Sequence, residues 1–260
     1  MNSLLSGHIE HSNNLNLMKS FHKILTLVLA LCAITCAAKE NGIVIKQQKV
    51  GFFSSIEAEC VDVYVTIGEA QNNFTVTASP EILDKFSATL TDGVLRLSCI
   101  KKSSGKSNPL SGLFRDSKKP VVKITVPSLD RINAGLCSRI IVDSPMTAGN
   151  MELSCETSSL VKIPALSATG IINMNAGMSS SVDIKNLSAK SVALYCTTSS
   201  KIKVGSVESE KFDARAEAGG KIEANSGKVI FADLETDSGS QVNIDGVSVA
   251  SGRFNNYVMR

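Results

Sequence analysis

Two acidic side chains, Glu217 and Asp237, stand 20 residues apart. In a chain that stacks at that interval they fall on neighbouring levels, about 5 Å from one another. Two carboxyls at that separation are what a retaining glycosidase uses, one as acid and one as nucleophile; they also make half of a calcium site. With Arg215 and Lys221 nearby, the same pair reads equally as the charged fringe of a solvated face. Cys36 is a third reactive group, a lipid-attachment point if a leader is removed in front of it. The preceding Ala33-Ile34-Thr35 departs from the usual lipobox, which takes Leu first and a small residue last. Segment 101–119, KKSSGKSNPLSGLFRDSKK, sets six basic residues against the single acid Asp116. A loop of that length reads as a contact for an acidic glycan or anionic surface, tipped by Leu113 and Phe114, or as an insertion kept soluble by its lysines.

The N-terminal region decides which other chemistry remains. From Met18 the chain reads MKSFHKILTLVLALCAITCAAKE. Lys19 and Lys23 form a basic region, Ile24 to Ile34 is an apolar run too short for a membrane span, and Cys36, Ala37 and Ala38 are small. That order predicts a signal peptide over 18–38 cleaved after Ala38, with 1–17 an over-extended start. Export is therefore expected, to the periplasm, the outer-membrane surface or the medium, with membrane anchoring only if Cys36 is lipidated. Cleavage removes His8, His11 and His22, which are all the histidines. Ser-His-Asp and Cys-His nucleophile pairs and His-dependent zinc sites leave with them. No glycine-rich phosphate loop opens a helix, and no cofactor is expected. The same cleavage takes Lys19, Lys23 and Glu10, lowering the net charge from +3 to +2, too little to argue for nucleic acid. Five cysteines remain: Cys60, Cys99, Cys137, Cys155 and Cys196. An odd number cannot form a complete disulfide framework.

The elements that position these residues are all β. Within 39–126, the runs CVDVYVTIG, NFTVTAS, VLRLSCI and VVKITV alternate apolar and polar residues, punctuated by Pro80, Asp92-Gly93 and Pro127. One helical turn around Glu81 to Phe86 is the most that any helix could occupy. Over 127–260 the chain repeats. Ile140, Val161, Val182, Ile202, Ile222 and Val242 recur every 20 or 21 residues. Two residues later a second column runs Val142, Ile163, Ile184, Val204, Ala224 and Ile244, and eight residues earlier a third runs Ile132, Leu153, Met174, Leu194, Ala214 and Leu234. Three columns in one register predict a right-handed parallel β-helix (a β-solenoid) with longer N-terminal strands leading into it and 39–260 forming one structural domain. Residues 252–260 are expected to close its far end.

Further columns follow. Ala134, Cys155, Ala176, Cys196, Ala216 and Thr236 are small, as a tight inward corner requires, and make the cysteines packing residues. Ile141, Lys162, Asp183, Lys203, Glu223 and Asn243 form an outward ladder of alternating charge, a register device. The tracts Ser158-Ser159, Ser179-Ser180-Ser181, Ser199-Ser200 and Gly219-Gly220 suit turns between coils.

Phe53-Ser54-Ser55-Ile56, the strand Val61 to Gly68, Asp92-Gly93-Val94-Leu95-Arg96-Leu97 and the strand ending at Val126-Pro127, followed by serine- and glycine-rich coils, resemble in their order the head GIN domain family of autotransporter-type adhesins. The resemblance covers about residues 50–245. It implies an exported β-helical domain with an adhesin-like role, and it brings no functional residues with it. The reading that results is a non-catalytic cell-envelope or secreted interaction protein. Its expected partner is a surface glycan or protein, and no catalytic, cofactor or metal residue is assigned. The alternative is a polysaccharide-active hydrolase or lyase using Glu217 and Asp237.

Overall fold

The computed structural model describes residues 34–40, 43–69, 73–100, 119–237 and 239–255. The N-terminal part runs β1 (Ile34–Glu40), β2 (Ile43–Lys49), β3 (Ser55–Glu59), β4 (Asp62–Ile67), β5 (Asn73–Ala78), the one-turn helix α1 (Pro80–Leu83), β6 (Ser87–Thr91), β7 (Val94–Ser98) and β8 (Val121–Val126). The rest runs β9 (Arg131–Gly135), β10 (Arg139–Val142), β11 (Met146–Ala148), β12 (Met151–Cys155), β13 (Leu160–Ala176), β14 (Ser181–Cys196), β15 (Lys201–Ala216), β16 (Lys221–Ala224), β17 (Gly227–Thr236), β18 (Gln241–Asn243) and β19 (Val247–Asn255). Together they form a parallel β-solenoid of about six turns.

Each turn visits three sheets. Sheet A stacks β9, β12 and the C-terminal parts of β13, β14, β15, β17 and β19. Sheet B stacks β10, the starts of β13, β14 and β15, then β16 and β18. Sheet C takes β11 and the middle of β13, β14 and β15, then β17 and β19.

The apolar columns read from the sequence are the inner walls of this stack. Ile140, Val161, Val182, Ile202, Ile222 and Val242 are successive register partners in sheet B. Ile132, Leu153, Met174, Leu194, Ala214 and Leu234 are the same in sheet A. All are buried, and each Val, Leu or Ile so placed contributes roughly 1.5–3 kcal/mol. Without the level above and below, a single turn would leave these side chains in water, so the repeats fold only as a stack.

Two features depart from the expected layout. The stack begins before Leu129: β3 lies in parallel between β7 and β9, and β4 between β8 and β10. No partner lies one repeat length away from β3, since Ser55 pairs with Val94 and with Arg131. Periodicity alone therefore could not place that level. At the other end, residues 252–255, expected to act as a cap, instead extend β19 and pair with β17, and 256–260 lie outside the described residues.

The N-terminal end is closed by antiparallel strands, β6 on β7 in sheet A and β5, β2 and β1 beyond β8 in sheet B. They cover the row of backbone groups that a parallel edge would expose.

Corners between sheets A and B share one construction. Leu136-Cys137, Thr157-Ser158, Met178-Ser179, Thr198-Ser199 and Ala218-Gly219 are consecutive pairs at positive φ. Placing a non-glycine residue there costs roughly 1–2 kcal/mol. Hydrogen bonds between levels offset it: Cys137 N donates to Thr157 O at 2.8 Å, Ser158 N to Met178 O at 2.9 Å and Ser179 N to Thr198 O at 3.0 Å. The serine after each of the first four pairs turns inward, and Gly220 follows the fifth. Ser138, Ser159, Ser180 and Ser200 are buried, and the Ser200 hydroxyl donates to Ala176 O at 2.7 Å and accepts from Thr197 N at 3.2 Å. The serine tracts are thus corner residues whose hydroxyls satisfy backbone groups.

Candidate interaction surface

The positions flanking the inner column of sheet A point outward, and stacking sets them in rows. One row runs Ser55, Arg131, Glu152, Asn173, Ala193, Asp213, Asp233 and Arg253. Its neighbour runs Glu57, Asn133, Ser154, Asn175, Tyr195, Arg215, Glu235 and Asn255. A shorter row on the far side holds Ile171, Ser191, Lys211, Phe231 and Ser251. The face is therefore a lattice of amides, carboxylates, guanidinium groups and two aromatic rings.

Its charges pair with one another. Arg131 Nε and a terminal nitrogen reach Glu152 Oε2 at 2.9 and 2.8 Å. Lys211 meets Asp213 at 2.7 Å, Arg253 meets Asp233 at 3.2 Å, and Arg215 lies between Glu217 and Glu235. Arg253 also sits over the Phe231 ring, 5.7 Å from its centre. Two hollows open on this face. One, of about 750 Å³, lies among Ser55, Asp130, Arg131, Asn150, Glu152 and Asn173. The other, of about 540 Å³, lies among Glu152, Asn173, Asn175, Tyr195, Asp213 and Arg215 and runs on to Asn255.

Glu217 and Asp237 follow the register partners Ala216 and Thr236, on adjacent levels at the corner beside this face. Each is held by its own neighbours. Glu217 accepts from Tyr195 Oη at 2.7 Å and from Arg215 Nε at 2.5 Å. Asp237 accepts from Ala218 N at 2.9 Å and from the Ser240 hydroxyl. These bonds hold both carboxyls below their ordinary pKa: for Glu217 the Tyr195 hydroxyl and then Arg215, for Asp237 the Ala218 amide and then Ser240. A glycosidase acid needs the opposite shift, upward, to keep its proton at neutral pH. Among the described residues no three His, Cys, Asp or Glu side chains gather as a metal centre.

The other sequence candidates fall differently. Residues 1–33 and 101–118 lie outside the described residues, and with them the signal-peptide reading and all but the end of the basic segment. Cys36 lies within β1, so the stretch expected to carry cleavage or lipidation is a strand paired with β2 in the uncleaved chain. Lys119 approaches Asp62 Oδ1 at 3.9 Å and donates to Cys137 O. The charge ladder has the expected register, but the ion pairs of Glu223 are not with its register partner Lys203. Glu223 takes Lys201 at 2.7 Å and Lys221 at 2.8 Å, one row over from Lys203.

Sequence reasoning missed the sheet A face, although the signal was present. It read the inner column Ile132 to Leu234 without the residue on either side, where Arg131, Glu152, Asn173, Asp213 and Asp233 repeat at the same interval.

Fold and surface define a class: a parallel β-solenoid scaffold carrying an extended polar face. Residues 52–177 match the family described as "putative auto-transporter adhesin, head GIN domain". The repeats after residue 177 continue the same stack beyond the match. A solved structure from Bacteroides fragilis, described as a putative adhesin, is 18% identical with TM-score 0.54, covering 83% of this chain and 98% of that one. A putative adhesin from Parabacteroides merdae is 14% identical with TM-score 0.59, covering 84% and 98%. One from Parabacteroides distasonis, described as a putative lipid binding protein, is 14% identical with TM-score 0.59, covering 85% and 98%. At these identities the likeness shows the fold alone. No curated protein matches the chain.

Proposed function

We propose that this is an exported, adhesin-like, non-catalytic protein that holds a surface polymer or protein against the outer face of sheet A. The observation that carries the reading is the combination of a polar face along the stack with the carboxylates Glu152, Asp213, Asp233 and Glu235 engaged as ion-pair partners on it. Glu217 and Asp237 are held ionised by their partners, which supports binding over cleavage. The match of residues 52–177 to an adhesin family adds to it. Export rests on the 18–38 leader, with cleavage after Ala38 leaving Lys39 and Glu40 as the remnant of β1. Among the described residues no helix is long and apolar enough to cross a membrane.

A glycan and matrix-protein array, paired with assays for new reducing ends and unsaturated products, tests the reading. Binding without turnover, unchanged in Glu217→Gln and Asp237→Asn, is expected. New chain ends that vanish in those variants would show a hydrolase or lyase instead. Mass spectrometry of the mature N-terminus reads the leader directly: a free Lys39 is expected, and a lipid on Cys36 would replace it.

A further inference from the structure

We infer that the sheet A face is a site for an uncharged polysaccharide chain lying parallel to the solenoid axis. The inference rests on the adhesive reading and specifies its ligand.

The two hollows share Glu152 and Asn173 in their walls, so they form one continuous trough along the stacking direction. From the level of Ser55 to that of Arg253 it crosses seven steps of about 4.8 Å, roughly 34 Å. A linear polymer fits such a shape better than a compact small molecule does.

Charge decides which polymer. Arg131, Lys211, Arg215 and Arg253 each hold a carboxylate of the same face. An acidic chain would have to displace those carboxylates, and a basic chain would have to displace the cations. An uncharged chain displaces neither. Asn173 and Asn175 are exposed, and their amides have no protein partner among the described residues. An amide both donates and accepts, as each sugar hydroxyl does. Tyr195, its hydroxyl fixed on Glu217 at 2.7 Å, supplies a flat apolar surface for the C–H face of a sugar ring. The face lacks the dry apolar centre around which a protein interface is built.

Affinity electrophoresis of the full chain in native gels containing mannan, dextran or laminarin tests this, with polygalacturonate gels and immobilised collagen as the acidic and protein arms. At least one neutral polysaccharide is expected to retard the protein. Affinity should drop about tenfold in Tyr195→Ala and in the double variant N173A/N175A, and stay unchanged in Lys203→Ala on sheet B. It should vary less than about twofold between low and high salt, because no net charge is matched. Circular dichroism of each variant confirms that the fold is retained. Retardation only by polygalacturonate, attachment only to collagen, or binding that survives both sheet A variants would overturn the assignment. A wild-type protein that adheres to cells while ignoring every neutral polysaccharide overturns this ligand and leaves the adhesive reading standing. A protein that adheres to nothing removes both.

Discussion

Cys155 and Cys196 stand in the same inward row of sheet A, two levels apart, with Ala176 between them as the register partner of both. At about 4.8 Å per level their Cα atoms are roughly 9.6 Å apart, beyond the roughly 7 Å that a disulfide spans. Both are free and buried. Burial pushes the Cys155 thiol up to about 11 and raises that of Cys196 as well, so neither is a thiolate at neutral pH. In iodoacetamide labelling of the folded protein at pH 8, read by mass spectrometry, Cys137, which is partly exposed, is expected to react first. Cys155 and Cys196 should label only on denaturation. Rapid labelling of either in the native state would contradict the packed column.

That row illustrates what was legible in the sequence. Interiors of a solenoid obey one rule, that each level repeats the apolar residue beneath it, so identity and interval alone placed Leu153, Met174 and Leu194 on successive levels. Outward residues obey no such rule, and Arg131, Glu152 and Asn173 differ from level to level because water accepts all of them. Their recurrence at the repeat interval was legible, but the face they form took shape only once the stack gave them neighbours. The level made by β3 and β4 stayed hidden for another reason. Its partners come from β7 and β9, at separations unrelated to the repeat.

Corner geometry makes a separate prediction. The Ser200 hydroxyl is buried and satisfies both Ala176 O and Thr197 N. Thr197 N also donates to Ala176 O at 2.9 Å, so Ser200→Ala leaves the two backbone groups paired with each other and costs only about 0.5–1.5 kcal/mol for the lost hydroxyl bonds. Gly227→Ala should cost more, about 2–4 kcal/mol, because φ is 130° and an added Cβ would lie 1.9 Å from Val207 O. Urea unfolding of the two variants measures both effects. A Gly227→Ala protein as stable as wild type would place the β16–β17 corner wrongly.

Acid should loosen the molecule. Lys201 and then Lys221 hold Glu223 below its ordinary pKa, and local hydrogen bonds do the same for Glu217 and Asp237. A carboxyl depressed in the folded state stabilises fully above the ordinary carboxylate range of about 4. That stabilisation is lost as pH falls from there through the lowered folded value. Melting temperature is therefore expected to be flat from pH 8 to about 5 and to fall below that. The fall should be shallower in Glu223→Gln, whose neutral amide does not titrate. A stability that rises on acidification through this range would contradict the ion-pair assignments.

Packing of the small inward row gives a further check. Ala176 is buried between Cys155 and Cys196. Ala176→Leu is expected to destabilise by about 1–3 kcal/mol through overpacking, read as a lower midpoint in urea with a similar slope. A neutral or stabilising effect would mean that the sheet A corner holds unfilled space.

Which face meets the target decides most directly how the protein adheres. Carbodiimide footprinting of carboxylates, with the protein free and then bound to the polysaccharide or cell surface that retains it, reads this without knowledge of the ligand. Glu152 and Glu235 on sheet A should lose reactivity on binding, while Glu208 on sheet C keeps it. Protection of Glu208 with Glu152 and Glu235 unchanged would place the contact on another face and contradict the assignment.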